Sequence, residues 1–301
     1  MTKTRNGGAG VENASAPSTW LVAPALILFL VFAIIPLAVA LGLSFTSWDG
    51  LTAPVFNGVA NWIRKLGDPV TYNALWLSFQ VIIFSWIVQT PISLLIGVFT
   101  AGKQRYRAVL SALYFLPLIL SSAAIAIAFK ALLDPNYGLG QSLGIPLLSQ
   151  DWLGNPHLVL YVVIFVIAWQ FIPFHSLLYQ AGARQIQPSL YEAAQLDGAG
   201  RVRQFFSITV PQLKNTIVTS STLMVVGSLT YFDIVYVLTQ GGPGYATRLL
   251  PLDMYLTGFT ASDLGGASVL AVLLVVIGLL LALALTKFSG FNRMNSQQEG
   301  A

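Results

Sequence analysis

Residues 20–45 read WLVAPALILFLVFAIIPLAVALGLSF, twenty-six residues without one charged side chain. Crossing the hydrocarbon of a bilayer takes about 20 predominantly apolar residues. Five more stretches qualify, at roughly 73–101, 109–129, 158–182, 216–238 and 267–288, each lying between stretches that hold charges, Pro or Gly. The pattern predicts an all-α fold, a polytopic membrane helix bundle with six transmembrane helices. Lys3 and Arg5 precede the first stretch, and Ala38-Val39-Ala40 resembles a cleavage site. Its apolar length is far beyond the core of about 7–15 residues in a secretory signal, so it reads as a retained span.

Composition agrees. Of 301 residues 55% are hydrophobic and 9% charged, against about 25% charged in a soluble domain. Such a chain is neither disordered nor a nucleic-acid module. The net charge of +4 comes from scattered Lys and Arg with no basic run, which points to membrane orientation. With no cysteine and two histidines, disulfides, thiol catalysis and thiolate metal sites are excluded, and the histidines alone cannot build a metal site.

The basic residues set the orientation. With cytoplasmic termini, the inner segments hold Lys3, Arg5, Lys103, Arg105, Arg107, Arg184, Arg201, Arg203, Lys214, Lys287 and Arg293. The outer segments hold Arg64, Lys65, Lys130 and Arg248, while Asp49, Asp68, Asp134, Asp151, Asp253 and Asp263 also fall outside. The positive-inside rule then gives an N-in, C-in topology. Residues 1–18, rich in Gly, Ala, Ser and Asn, are expected to be a disordered cytoplasmic tail. Residues 19–290 form the six-helix domain, and 291–301 a second cytoplasmic tail. The outer segments are too short to fold as catalytic domains. Pro24, Pro36, Pro91, Pro117 and Pro173 lie in or at the ends of spans. They are compatible with kinked helices around a cavity or with ordinary packing kinks.

The longest polar inner stretch, about 183–215, contains Pro188-Ser189-Leu190-Tyr191-Glu192-Ala193-Ala194-Gln195-Leu196-Asp197-Gly198-Ala199-Gly200. Ser189 and Glu192 have capping-box spacing. The residues that follow favour helix, and Gly198 and Gly200 can supply a left-handed stop. A second amphipathic piece, 201–209, is expected to end at Pro211. Glu192 is then either a cap or part of a knob that seats in a cytoplasmic partner.

The wider spacing favours the knob. Glu192-Ala193-Ala194, three residues, Gly198, nine residues, Ile208, one residue and Val210-Pro211 resembles the signature of permease subunits of binding-protein-dependent ABC importers. The one departure is Val210, where the family pattern has Leu. The chain is similar to the maltose and multiple-sugar type, and to its maltose-type first permease subunit. Further similar stretches are Asn61-Trp62, Leu116-Pro117, Phe129-Lys130-Ala131-Leu132-Leu133-Asp134 and Leu238-Thr239-Gln240-Gly241-Gly242-Pro243. Two extra N-terminal spans and a large outer insertion of the enterobacterial maltose subunit have no counterpart here.

The resemblance implies a type I ABC importer permease in a bacterial cytoplasmic membrane. It implies a second homologous permease subunit, two ATPase subunits, an extracytoplasmic sugar-binding protein, surrounding lipid and a sugar substrate, with no nucleic acid. Glu192, Ala193, Ala194, Asp197, Gly198, Ile208 and Pro211 would form the ATPase-coupling element. The chain contains no phosphate-binding Gly-x-x-x-x-Gly-Lys-Ser/Thr loop. It would therefore bind no cofactor, ATP and Mg would sit on the partner ATPase, and the chain would not be an enzyme.

Sugars want aromatic faces and a few polar groups, and polar residues inside spans are costly enough to attract suspicion. On those grounds Ser121, Ser122, Gln170, Phe171, Phe174, His175, Ser228, Thr230, Tyr231 and Asp233 stand out. The resemblance places substrate contacts at Leu118, Ser122, Ile167, Gln170, Phe171, Phe174, Gly227, Ser228 and Tyr231. The serines could instead bond their own helices, and the phenylalanines could face lipid. Asp233 reads as a structural polar contact and His175 as a packed residue. No Lys or Arg lies at a span centre, which favours a neutral sugar, such as an oligosaccharide, over glycerol 3-phosphate. An ion-coupled secondary transporter would want more intramembrane acids or histidines, and an intramembrane hydrolase a nucleophile with its base. A plain assembly scaffold would need no polar or aromatic residues at membrane depth.

Overall fold

A computed structural model describes residues 19–102 and 104–288; the two expected tails, 1–18 and 291–301, and Lys103 lie outside the described residues. Among the described residues four helices are long and apolar enough to cross a membrane, and two bent helix pairs bring the possible spans to six. The all-α membrane bundle is the architecture expected.

The first long helix, α1 (Ala23–Leu43), carries Pro36. A proline there lacks its N–H and crowds the carbonyl four residues back. A π turn over Leu30–Ile34, in which the Ile35 N–H donates to the Leu30 carbonyl, re-spaces the helix ahead of it. No α1 side chain is buried within the chain. The helix lies against the last long helix, Leu264–Phe288.

Beyond α1, β1 (Thr46–Ser47) pairs antiparallel with β2 (Val55–Phe56), with Thr46 opposite Phe56. Between them Asp49 accepts the Leu51 and Thr52 N–H groups at 2.9 Å each, and these bonds hold its carboxyl at about 2. Short helix α2 (Ala60–Leu66) follows. Its Asn61 amide donates to the carbonyls of Thr46 at 2.8 Å and Ser44 at 3.2 Å. The Trp62 indole donates to Ser44 Oγ at 3.1 Å. The Asn61-Trp62 pair therefore fastens α2 to the end of α1.

The framework is α3 (Pro69–Thr100) laid along α6 (Val159–Arg184). Asp68 starts α3 by accepting the Val70 N–H at 2.9 Å, with Pro69 in the first turn. Close approach depends on Gly97, where a Cβ would come within 2.5 Å of the Ser176 carbonyl oxygen. Ser93 donates to the Ile172 carbonyl at 3.2 Å and Gln180 to the Thr100 carbonyl at 2.8 Å. Lipid offers polar groups no partner, so such donors face protein.

The stretch read as one span at 109–129 is not straight. Helix α4 (Arg105–Ile119) turns through 95° into α5 (Ser122–Leu132). Leu120 and Ser121 are extended, with ψ 146° and 144°. Ser121 Oγ accepts the Ala124 N–H at 3.2 Å and caps the new helix. The stretch at 216–238 is likewise divided into α8 (Lys214–Ser228) and α9 (Asp233–Thr239), bent by 49°. At Gly241-Gly242-Pro243 the chain turns, as glycine and proline dictate. Gln240 and Gly241 have φ +53° and +88°, and the Gly242 N–H donates to the Thr239 carbonyl at 2.9 Å.

The polar stretch at about 183–215, built around α7 (Pro188–Leu196), separates α6 from α8. After α9 come α10 (Leu250–Tyr255) and α11 (Leu264–Phe288). The apolar core lies where α3, α5, α6 and α9 meet and includes Val81, Ile125, Val163, Ile167 and Val235. The ion pairs Arg64–Asp263 and Arg248–Asp253, both 2.8 Å, and Lys65–Asp68 at 4.0 Å all lie at the end assigned outside. Asp253 is buried there and also accepts from Thr71 at 3.3 Å.

Candidate functional site: an inner knob and a groove at the helix breaks

The knob begins with α7. The expected capping box does not form: Gln187, extended at φ −64° and ψ 127°, precedes the helix and makes no side-chain cap bond. Pro188 takes the first helical turn because its φ is already set for it, and this carries Ser189 inside the helix. Glu192 is exposed, so its reading as half of that box falls away. At the other end Gly198 adopts φ +74°. The Ala199 N–H donates to the Ala194 carbonyl at 2.8 Å and the Gly198 N–H to the Gln195 carbonyl at 3.0 Å. These are the two bonds of a glycine-stopped helix. Gly200 has φ −68° and plays no left-handed part.

The second piece corrects another expectation. Arg201–Gln204 leads into a π turn, Phe205–Thr209, and helix continues through Pro211 to Gln212. In the π turn the Val210 N–H reaches the Phe205 carbonyl, a re-spacing that lets a helix pass a proline. Ile208 is half-buried within that turn. Tyr191 Oη and Thr209 Oγ1 lie 2.9 Å apart, and Gln204 Nε2 donates to the Ala199 carbonyl at 2.7 Å. The two pieces are thus held as one hairpin. Ala193 and Asp197 are exposed on it and Ala194 is half-buried. Leu196, Val202 and Phe206 expose 90%, 72% and 65% of their surface. Arg184, Arg201, Arg203 and Lys214 make no ion pair among the described residues.

The groove lies where the two bent spans are broken. Its volume is about 410 Å³, and its walls are Leu118, Ser122, Phe171, Phe174, His175, Leu223, Gly227, Thr230, Tyr231, Phe232, Asp233 and Ile234. Leu118 and Ser122 flank the α4–α5 break, and 230–233 span the α8–α9 break. Phe171, Phe174 and His175 come from α6 between them. Irregular backbone at membrane depth is tolerated where it lines a cavity. The Phe171 and Tyr231 rings lie 5.2 Å apart, as do Phe174 and His175.

Six of the nine expected substrate positions are on this wall: Leu118, Ser122, Phe171, Phe174, Gly227 and Tyr231. Ile167, Gln170 and Ser228 are not. Ile167 is sealed in the core with Ile234 and Val235. Gln170 braces the α4–α5 break, donating to Ser122 Oγ at 3.2 Å and to the Leu120 carbonyl at 3.4 Å. Ser228 donates to its own helix at Met224 O, 2.7 Å away. His175 is buried and its Nδ1 lies 2.9 Å from Ser220 Oγ, a packed residue with one edge on the groove. Asp233, read from the sequence as a structural contact, is exposed on the wall and has no hydrogen bond or ion pair among the described residues. Leu223 went unnoticed in the sequence, although it sits one helical turn before Gly227 on the same face.

Comparison with known proteins gives the context. Over 284 residues the chain is 34% identical to a probable ABC transporter permease protein of Bacillus subtilis, YurN, covering 92% of this chain and 97% of that protein. It is 30% identical to the trehalose/maltose transport system permease protein MalF of Thermococcus litoralis, covering 91% and 93% of the two chains. The fold matches a chain in the crystal structure of a bacterial ABC transporter involved in import of the acidic polysaccharide alginate. That match has a TM-score of 0.78 at 22% identity and covers 92% of this chain and 96% of the other. Residues 93–290 match the inner membrane components of binding-protein-dependent transport systems. The protein is a multi-pass membrane permease subunit belonging to that family, whose ATP hydrolysis takes place on a separate ATPase subunit.

Proposed function

We propose that this chain forms half of a sugar pathway, close to the maltose-type first permease subunit in role, and that its inner hairpin couples the pathway to ATP hydrolysis. The single observation that carries the sugar reading is the composition of the groove. Aromatic rings, hydroxyls and one carboxylate face it, and among the described residues no Lys or Arg does. Aromatic faces suit the C–H surfaces of a pyranose and the polar groups its hydroxyls. Relatives named for lactose, arabinooligosaccharides, multiple sugars and trehalose/maltose support the same class.

In this reading the termini face the cytoplasm and a second, similar permease closes the groove. Two ATPase subunits bind from inside, and an extracytoplasmic binding protein delivers a neutral oligosaccharide. Glu192 and Asp197 offer charge to the ATPase cleft. Ala193 and Ala194 keep the contact face thin, and Gly198 makes the turn. Ile208 and Pro211 shape the second arm. ATP and Mg bind on the ATPase, and closure of its two copies moves the hairpin. The sugar shifts the balance of inward- and outward-open states only through its different affinity for them. Leu118, Ser122, Phe171, Phe174, Gly227 and Tyr231 contact it in transit, while Ile167, Gln170 and Ser228 support that wall from behind. A glycerol 3-phosphate permease would want a fixed cation in the groove.

The test is uptake of a panel of labelled oligosaccharides by cells lacking this chain, with and without its restoration. Loss and recovery of neutral oligosaccharide uptake is expected. Unchanged uptake across the panel overturns the sugar reading.

A further inference from the structure

We propose that Asp233 is a charge filter, a carboxylate that binds the hydroxyls of a neutral saccharide in the groove and turns away anionic ones. The inference rests on the transport reading and narrows its substrate class. Asp233 stands at the α8–α9 break, where the helix is interrupted over 229–232 and bends by 49°, and it lines the groove. Among the described residues the carboxylates paired with a basic side chain all lie at the outer end, in Arg64–Asp263, Lys65–Asp68 and Arg248–Asp253. Asp233 has neither an ion pair nor a hydrogen bond among the described residues.

An acid is ordinary in the first turn of a helix, where it meets the dipole. Asp233 accepts no N–H from α9, however, so it is not consumed in capping that helix. Its carboxylate is exposed on the groove wall with no protein partner among the described residues, so its lone pairs are open to the hydroxyl donors of a polyhydroxylated ligand. Two sugar hydroxyls can donate to one carboxylate, while Phe171 and Tyr231, 5.2 Å apart, offer ring surface beside it. Among the described residues no Lys or Arg lines the groove. A uronate or phosphate there would meet the like charge of Asp233 with no cation on the described groove wall to offset it.

The test uses the complete transporter, purified with its partner permease and ATPase and without the binding protein, so that only the membrane subunits select. Equilibrium dialysis with labelled maltotriose, raffinose, xylotriose and trigalacturonate measures binding to the wild type and to Asp233→Asn, Asp233→Glu and Asp233→Lys. Uptake of the same neutral sugars is followed in cells. The wild type is expected to bind at least one neutral trisaccharide about tenfold or more tightly than trigalacturonate. Hydrogen bonds to a charged group carry enough energy for Asp233→Asn to weaken neutral binding about tenfold. Asp233→Glu should restore most of it, and Asp233→Lys should reverse or erase the preference against trigalacturonate. A merely structural role would leave that ratio unmoved.

Equal binding of neutral and anionic probes by the wild type, or a ratio that Asp233→Lys does not change, overturns the inference and leaves the transport reading standing. So does neutral sugar uptake in cells with no probe bound by the complex. Loss of the partner permease on purification of Asp233→Asn reassigns the residue to the subunit interface and also overturns it. Absence of any sugar uptake defeats the transport reading, and the filter with it.

Discussion

Two surfaces of this molecule expose large apolar side chains, for opposite reasons. On α1, Leu28 and Phe32 expose 59% and 75% of their area, and no side chain of the helix is buried in the chain. On the inner hairpin, Leu196, Val202 and Phe206 are comparably exposed. The helix α1 is a span, and hydrocarbon solvates it as well as a protein core would. The hairpin lies beyond the spans, among Arg184, Arg201, Arg203 and Lys214. Apolar side chains gathered in water mark an interaction surface. Exposure therefore has to be read against the local solvent before it says anything about function.

Substitutions on the two surfaces should separate accordingly. The largest effect is expected from Gly198→Asp, which puts a side chain and a charge at the φ +74° turn of the hairpin. Membrane insertion should survive while ATP-driven uptake falls to background, and normal uptake would refute the docking role. Next comes a buried reference for the comparison, Ile167→Ala in the sealed core. Thermal unfolding in detergent should record a loss of about 2–5 kcal/mol. Third is Leu196→Asp. A leucine buried on docking contributes about 1.5–3 kcal/mol, so titration of the purified permease with the ATPase should show binding weakened tenfold or more. The melting temperature of the permease alone should not move. The smallest effect is expected for Leu28→Ala on α1, within about 0.5 kcal/mol in the same melt. A large loss there would mean that α1 packs on protein rather than lipid.

Much of this was legible in the sequence, because a bilayer imposes a length and a polarity that a chain must show openly. The spans at 20–45, 73–101, 158–182 and 267–288 correspond to α1, α3, α6 and α11. The two broken spans were less visible. Pro117 hinted at the first, but the break itself is made by Leu120 and by Ser121, which caps α5, and a lone serine in an apolar stretch has many uses. The α8–α9 bend contains no proline at all. Ser189 failed as a cap because Pro188 starts the helix two residues early, with Gln187 in the cap position. The groove was legible in part: spacing from a motif fixes position along a helix, but not which turn the neighbours cover. Ile167 and Phe171 share a face of α6, yet Ile234 and Val235 cluster with the first and the groove opens at the second. Asp233 could not be judged from sequence, because its lack of a partner is a fact about three dimensions.

The most direct test of the coupling account exploits the absence of cysteine from the chain. A single Leu196→Cys substitution gives one reactive thiol at the tip of α7. It is labelled with a membrane-impermeant maleimide in inside-out vesicles and in intact cells, with and without the ATPase. The account predicts labelling in inside-out vesicles alone and protection when the ATPase is present. Labelling from outside intact cells, or labelling that the ATPase leaves unchanged, would contradict it.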